Sequence, residues 1–203
     1  MSGSPFVRRT EFVLVEKNID YKLITLSREE GDLQSSKHLV RNPRGRVPVM
    51  EHGRITLYES QAIVEYIEDI FPEPSLLPTD LGDRGRMRIL EMECLIYFAA
   101  ALSKVAQNIF LVSSKKRDSV KVSDSLEAVS NELNRLEKHG ADQGKKYLIG
   151  DKISRADFTW LPFVELVGRA GVNINSEKYV WINKWRKILE ARPSYKKTFP
   201  AHW

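Results

Sequence analysis

Two short stretches of this chain carry residue types suited to holding a peptide-like ligand. In Asn42-Pro43-Arg44-Gly45-Arg46-Val47-Pro48-Val49-Met50, proline fixes φ and glycine tolerates positive φ, so a loop should follow a helix ending near Val40. Val47 precedes a proline and is therefore held extended. Pro48 then opens a strand over 49–51, through either a trans or a cis bond. An extended residue at such an edge can pair its own N–H and C=O with a ligand's main chain. In Leu57-Tyr58-Glu59-Ser60-Gln61-Ala62-Ile63, Ser60 is a good N-cap, and the amides of a helix start can hold a carboxylate. The same residue types also make a plain hairpin and a capped helix that bind nothing, and they do not by themselves choose between the two readings.

The neighbouring elements must position these stretches. His52-Gly53 turns the chain into a second β-prone run over 55–58, and the helix after Ser60 carries Ala62, Ile63, Tyr66, Ile67 and Ile70 on one stripe. Upstream, Pro5 suits the first turn of a helix running to about Lys17, with Phe6, Thr10, Val13 and Leu14 facing inward and Asn18 ending it. The alternating residues 21–26 predict a strand, and 28–34 a polar loop. Ser35 or Ser36 should cap a short helix bearing Leu39 and Val40. Pro72, Pro74 and Pro78 mark a linker. Beyond it, Leu95, Phe98, Leu102, Val105 and Ile109, then Val122, Leu126, Val129, Leu133 and Leu136, recur at helical spacing and predict an antiparallel pair joined near 113–117. Ser154-Arg155-Ala156-Asp157 reads as a capping box, in which the serine hydroxyl accepts from the N–H three residues on and the aspartate reaches back. Trp181, Trp185, Ile188 and Leu189 predict a last helix ended by Pro193.

Composition sets the outer bounds. With 203 residues, 42% hydrophobic and 29% charged, the chain suits an ordinary globular protein of one or two domains. No apolar run reaches the roughly 18 residues of a membrane span and no charged-then-apolar leader opens the sequence, so a cytoplasmic protein with no membrane partner is expected. A lone cysteine, Cys94, excludes an internal disulfide and a cysteine-rich metal site, and no metal is expected. The net charge of +5 is spread along the chain, and its densest cluster, Lys115-Lys116-Arg117, falls in a solvated turn between helices. No nucleic-acid partner is expected.

Taken together, Gly45-Arg46-Val47-Pro48-Val49, the Glu59-Ser60 pair, Gly3-Ser4-Pro5-Phe6-Val7-Arg8-Arg9 and Ile149-Gly150-Asp151-Lys152-Ile153-Ser154-Arg155-Ala156-Asp157-Phe158 resemble the soluble glutathione transferases, in the family's order and spacing. The start looks like the serine-type, phi- or tau-like classes. The resemblance implies a fold class of α/β plus all-α: a thioredoxin-like domain over 1–72, a linker over 73–82 and an all-helical domain over 83–203. The family's first strand, central in its sheet, would precede Gly3-Ser4, so this sequence looks N-terminally short and that strand is expected to be missing. The resemblance further implies a cytoplasmic, dimeric detoxification enzyme. It would conjugate glutathione, as co-substrate and without a cofactor, to electrophilic apolar small molecules. The rival reading is a non-catalytic relative that binds or regulates.

The chemistry asked of such a site is modest in size. A free thiol near pKa 8.5 is only about 3% ionised at pH 7, and lowering it by about 2 units needs about 2.7 kcal/mol. A hydroxyl hydrogen bond to the anion supplies about 1.5–3 kcal/mol and a helix N-terminus about 0.3–1. The resemblance gives the thiolate to Ser4, with Arg8 one turn on adding positive potential. It gives Val47 and Pro48 the cysteinyl backbone, and Glu59 and Ser60 the γ-glutamyl end. For the glycine carboxylate the family's positions hold Leu33 and Gln34, which leaves Gln34, Lys37 and Arg46 as candidates. An apolar wall of Met92, Tyr97, Phe98 and Leu102 would face the second substrate. His38 is read as a surface or capping residue. Cys94 lies outside the serine's position, which argues against the thiol-transfer classes.

Overall fold

In a computed structural model that describes residues 3–110, 112–169 and 171–200, the chain divides into two units, Met1–Leu76 with Arg192–Trp203 and Leu77–Ala191. The first unit begins with helix α1 (Pro5–Glu16), with Pro5 in its first turn, where a missing N–H breaks no intrahelical bond. It ends at Asn18, which takes the positive φ of 55° that asparagine tolerates. Thr10, Val13 and Leu14 face inward as predicted, but Phe6 is exposed and Arg8, Arg9 and Phe12 are buried in its place. Helix α2 (Ser36–Leu39) is capped by the Ser35 hydroxyl, which accepts from the His38 N–H at 3.3 Å. Val40 follows as an exposed residue.

Strands β1 (Val49–His52) and β2 (Ile55–Tyr58) form an antiparallel hairpin with Val49 opposite Tyr58 and His52 opposite Ile55. Gly53 takes φ 59° in its two-residue loop, a conformation glycine adopts without strain. Helix α3 (Ser60–Ile70) buries Ile63, Val64 and Ile67. Its inner stripe is rotated from the predicted one: Ala62 and Ile70 are exposed, and Ser60 and Glu68 are buried. Glu68 is drawn inward by Lys17, whose buried ammonium lies 3.0 Å from its carboxylate and donates to the carbonyls of Phe71 and Pro74. The proline-rich segment is thereby fastened to the end of α1.

The predicted strand over 21–26 does not form. Its alternation supplies β propensity, but a strand exists only where a ladder partner takes its N–H and C=O groups. Among the described residues the sheet is β1 and β2 alone. Leu23 and Ile24 lie exposed. A cavity of about 720 Å³ lies along this stretch, lined by Tyr21, Leu23, Val47, Met50 and Ile67 among others. Tyr21 donates to Glu11 Oε1 at 3.1 Å on its wall. Burial there pushes the Glu11 carboxyl and the Tyr21 hydroxyl above their ordinary values, most of all by desolvating their charged forms.

The second unit is helical. Helix α4 (Leu81–Glu93) runs through a π-helical segment (Cys94–Phe98) into α5 (Ala99–Val105) and a second π segment (Ala106–Phe110). Helix α6 (Ser119–Gln143) packs along it, so the predicted pair is present. Helix α7 (Arg155–Arg169) is the buried axis. Its Arg155 pairs with Glu91 at 3.0 Å, and its Trp160 donates to the Leu90 carbonyl at 2.9 Å. The box at its start is built differently from the prediction. Asp157 reaches back to the Ser154 N–H at 2.8 Å, but the Ser154 hydroxyl donates to that same carboxylate. Asp157 also accepts from the Leu148 N–H and Trp185 Nε1.

Helix α8 (Val180–Glu190) carries Trp181 and Trp185 inward. An added Cβ on Gly140 of α6 would come within 2.0 Å of the Trp181 ring, so only glycine admits that packing. Pro193 does not simply stop the chain. It opens a further helix, α9 (Pro193–Thr198), which belongs to the first unit and packs on α1. No helix among the described residues is long and apolar enough to cross a membrane.

Candidate active site

Ser4 is the N-cap residue of α1, half-buried, with extended backbone at φ −65° and ψ 125°. Its carbonyl accepts the Arg8 N–H at 2.9 Å, but its hydroxyl makes no capping bond to the helix. A serine so placed commonly caps through its side chain. Among the described residues that oxygen has no hydrogen-bond partner, and it stands at the positive end of a helix.

The loop before Pro48 is shaped by buried Asn42. Its Nδ2 donates to the Arg46 carbonyl at 2.8 Å, and its Oδ1 accepts the Arg44 N–H at 3.0 Å. His38 Nε2 meets the same Arg46 carbonyl at 3.0 Å. His38 is therefore a buried tie between α2 and this loop, not a surface residue. Held this way, Val47 reaches a cis bond to Pro48. Among the described residues nothing pairs with the Val47 N–H or C=O, which leaves one donor and one acceptor for a ligand backbone.

Glu59, not Ser60, is the N-cap residue of α3, and Ser60 is its first helical residue. Glu59 is exposed and sits at φ 67° and ψ 110°, a region side chains rarely adopt. The first helical bond is Ile63 N–H to the Glu59 carbonyl, so the amides before it have no acceptor within the helix. Beneath this turn lies Arg9, donating from Nη1 to Ser60 Oγ at 3.1 Å and from Nη2 to Gln61 Oε1 at 2.8 Å. Arg8 points elsewhere. Its Nε donates to the Thr198 carbonyl at 3.1 Å, and its guanidinium lies over the Phe12, Tyr195 and Phe199 rings. The cation at the first turn of α3 is thus Arg9, and not the Arg8 expected to add positive potential beside Ser4. Spacing puts Arg9 one turn before buried Val13, but it puts Arg8 one turn before buried Phe12 as well, so it marks both as inward-facing without separating them.

Lys37, Val47 and Pro48 share the lining of the cavity in this unit, and Ser4, Glu59 and Ser60 do not line it. Gln34, Lys37 and Arg46 are exposed. Of the expected apolar wall, Met92 and Tyr97 are exposed, Tyr97 by 59%, and Leu102 is half-buried. Phe98 is 0% exposed and stacks on Trp160 with centroids 5.2 Å apart, so it is a core residue and not part of a binding wall.

The chain matches the family models for the N-terminal domain of glutathione S-transferase over residues 1–75 and for its C-terminal domain over 95–193. It is 30% identical to glutathione S-transferase 4 of Zea mays, over 96% of this chain and 87% of that one. Among solved structures, a glutathione S-transferase from the Antarctic clam Laternula elliptica superposes with a TM-score of 0.85 at 28% identity, covering 100% of this chain and 90% of its own. Glutathione S-transferase-I bound with lactoylglutathione gives 0.81 at 26%, covering 96% and 93%. This chain belongs to the glutathione S-transferase family and is a glutathione transferase.

Proposed function

We propose that this transferase joins the glutathione thiolate to electrophilic, apolar small molecules, with Ser4 as the catalytic residue. The observation that carries this reading is the Ser4 hydroxyl, which makes no capping bond although it stands at the start of α1. The thiol of glutathione gives up its proton to solvent, and the Ser4 hydroxyl donates to the resulting thiolate, which attacks. The new bond is carbon–sulfur, the leaving group departs with its electron pair, and no covalent enzyme intermediate forms. Val47 pairs with the cysteinyl backbone, and Pro48 fixes that residue's edge. Ser60 and the first amides of α3 hold the γ-glutamyl carboxylate, and Glu59 takes the amine. Gln34, Lys37 or Arg46 meets the glycine carboxylate, and Met92, Tyr97 and Leu102 contact the second substrate. In this reading the protein is a cytoplasmic homodimer acting in detoxification.

Retention on immobilised glutathione, followed by conjugation to 1-chloro-2,4-dinitrobenzene, tests the proposal. Wild type is expected to be retained and to turn over, and Ser4→Ala to be retained but to lose most of its kcat. Retention with no turnover in either form identifies a binding protein instead, and the absence of retention overturns the site.

A further inference from the structure

Arg9 is a cation placed where an interior normally excludes one. Only 1% of its surface is exposed, and its fork is aimed at the first turn of α3, with Ser60 Oγ at 3.1 Å and Gln61 Oε1 at 2.8 Å. A hydroxyl offers one hydrogen and two lone pairs. The guanidinium takes a lone pair of Ser60, which turns the hydroxyl hydrogen away from Arg9, and among the described residues no acceptor meets it. Accepting from a cation also polarises the O–H bond and makes it a stronger donor toward an anion. Gln61 is locked alongside, its Oε1 on Arg9 and its Nε2 donating to Glu65 Oε1 at 2.9 Å. Two parallel N–H groups from one planar group reach two successive residues, which a lysine ammonium cannot reproduce.

We infer that Arg9 is a positioning residue of the glutathione site: acting through Ser60, it fixes and strengthens the donor that meets the γ-glutamyl carboxylate. That role rests on the proposed contact between Ser60 and glutathione. Helix α1 then serves both ends of the ligand, with Ser4 at the sulfur and Arg9, five residues on, behind the carboxylate.

The test is glutathione titration by calorimetry on wild type, Arg9→Lys, Ser60→Ala and the double variant, with thermal melts confirming that each is folded. Arg9→Lys keeps the charge and loses the fork. It is expected to raise Kd by about ten-fold, the scale of one charge-assisted hydrogen bond. In the Ser60→Ala background the same change should move Kd by less than about two-fold, because the residue Arg9 works through is gone. Steady-state kinetics should show the Arg9→Lys loss in the KM for glutathione and not in kcat. Gln61→Leu, which removes one anchor of the fork and leaves both Arg9 and Ser60, should show a smaller rise with the same dependence on Ser60. Effects that multiply in the double variant, or a folded Arg9→Lys that binds as wild type does, overturn the role of Arg9 alone. A wild type that does not bind glutathione overturns the functional reading as well.

Discussion

Replacing Glu59 by glycine should leave the protein more stable than replacing it by alanine, in the order already usual for an N-cap and widened by the backbone there. Glu59 holds φ 67° and ψ 110°, and its side chain makes no capping bond, so nothing local rewards the conformation. A side chain held in such a region costs about 1–3 kcal/mol, which alanine retains through its Cβ and glycine does not. Glycine loses about 0.5–1 kcal/mol more than alanine in backbone entropy on folding. The difference leaves Glu59→Gly more stable than Glu59→Ala by about 1 kcal/mol, or about 2–4 °C in Tm for a chain of this size. Both variants lack the carboxylate, so loss of its charge at the helix start cancels from the comparison. Thermal unfolding followed by circular dichroism measures the difference, and glutathione affinity is measured on the same samples. On the proposed reading, in which the Glu59 carboxylate takes the ligand's amine, both should bind glutathione more weakly than wild type. If Glu59→Ala melts above Glu59→Gly, the backbone there is not strained; if both bind glutathione as wild type does, the carboxylate has no part in the site.

Gly140→Ala should destabilise the second unit by about 1–3 kcal/mol, since its Cβ would lie 2.0 Å from a ring atom of buried Trp181 and the indole must shift; chemical denaturation should show a lower midpoint with an unchanged slope. Burial raises the Glu11 carboxyl in the folded state above its ordinary value near 4.5. Its contribution to stability is therefore fully present below the unfolded pKa and is lost as pH rises through the folded one. Glu11→Gln should flatten that part of the profile, and a Tm measured from pH 4 to 8 that falls as steeply as in wild type would remove Glu11 as the cause.

The hairpin, the helix starts and the helical half were legible because they rest on local chemistry. Pro48, Gly53, Ser35 and the spacing of Phe98, Val105, Val129 and Leu133 act within a few residues of themselves. The stretch 21–26 was misread because strand formation is decided by a partner and not by alternation alone. Pro193 was read as a stop when proline is equally suited to a first turn, as it is at α9. The rotated stripe of α3 has a long-range cause, the buried pair of Glu68 with Lys17. Phe98 fits an apolar wall by type, and only its stacking on Trp160 places it in the core. At the candidate site, Ser4 at the start of α1 and Val47 before Pro48 could be read from local chemistry, whereas the N-cap of α3 fell on Glu59 and not on Ser60. The division of labour between Arg8 and Arg9 could not be read in that way, because adjacent residues on a helix point about 100° apart and their partners, Thr198 and Ser60, are distant in sequence.

In the proposed mechanism the hydroxyl at the start of α1 keeps the sulfur of bound glutathione anionic. Titrating the thiolate absorbance of glutathione bound to wild type and to Ser4→Ala measures this directly. A thiol about 2 units below its free value near 8.5 in wild type, returning to within about half a unit of that value in Ser4→Ala, is the predicted result. A bound thiol with the same pKa in both proteins would contradict it.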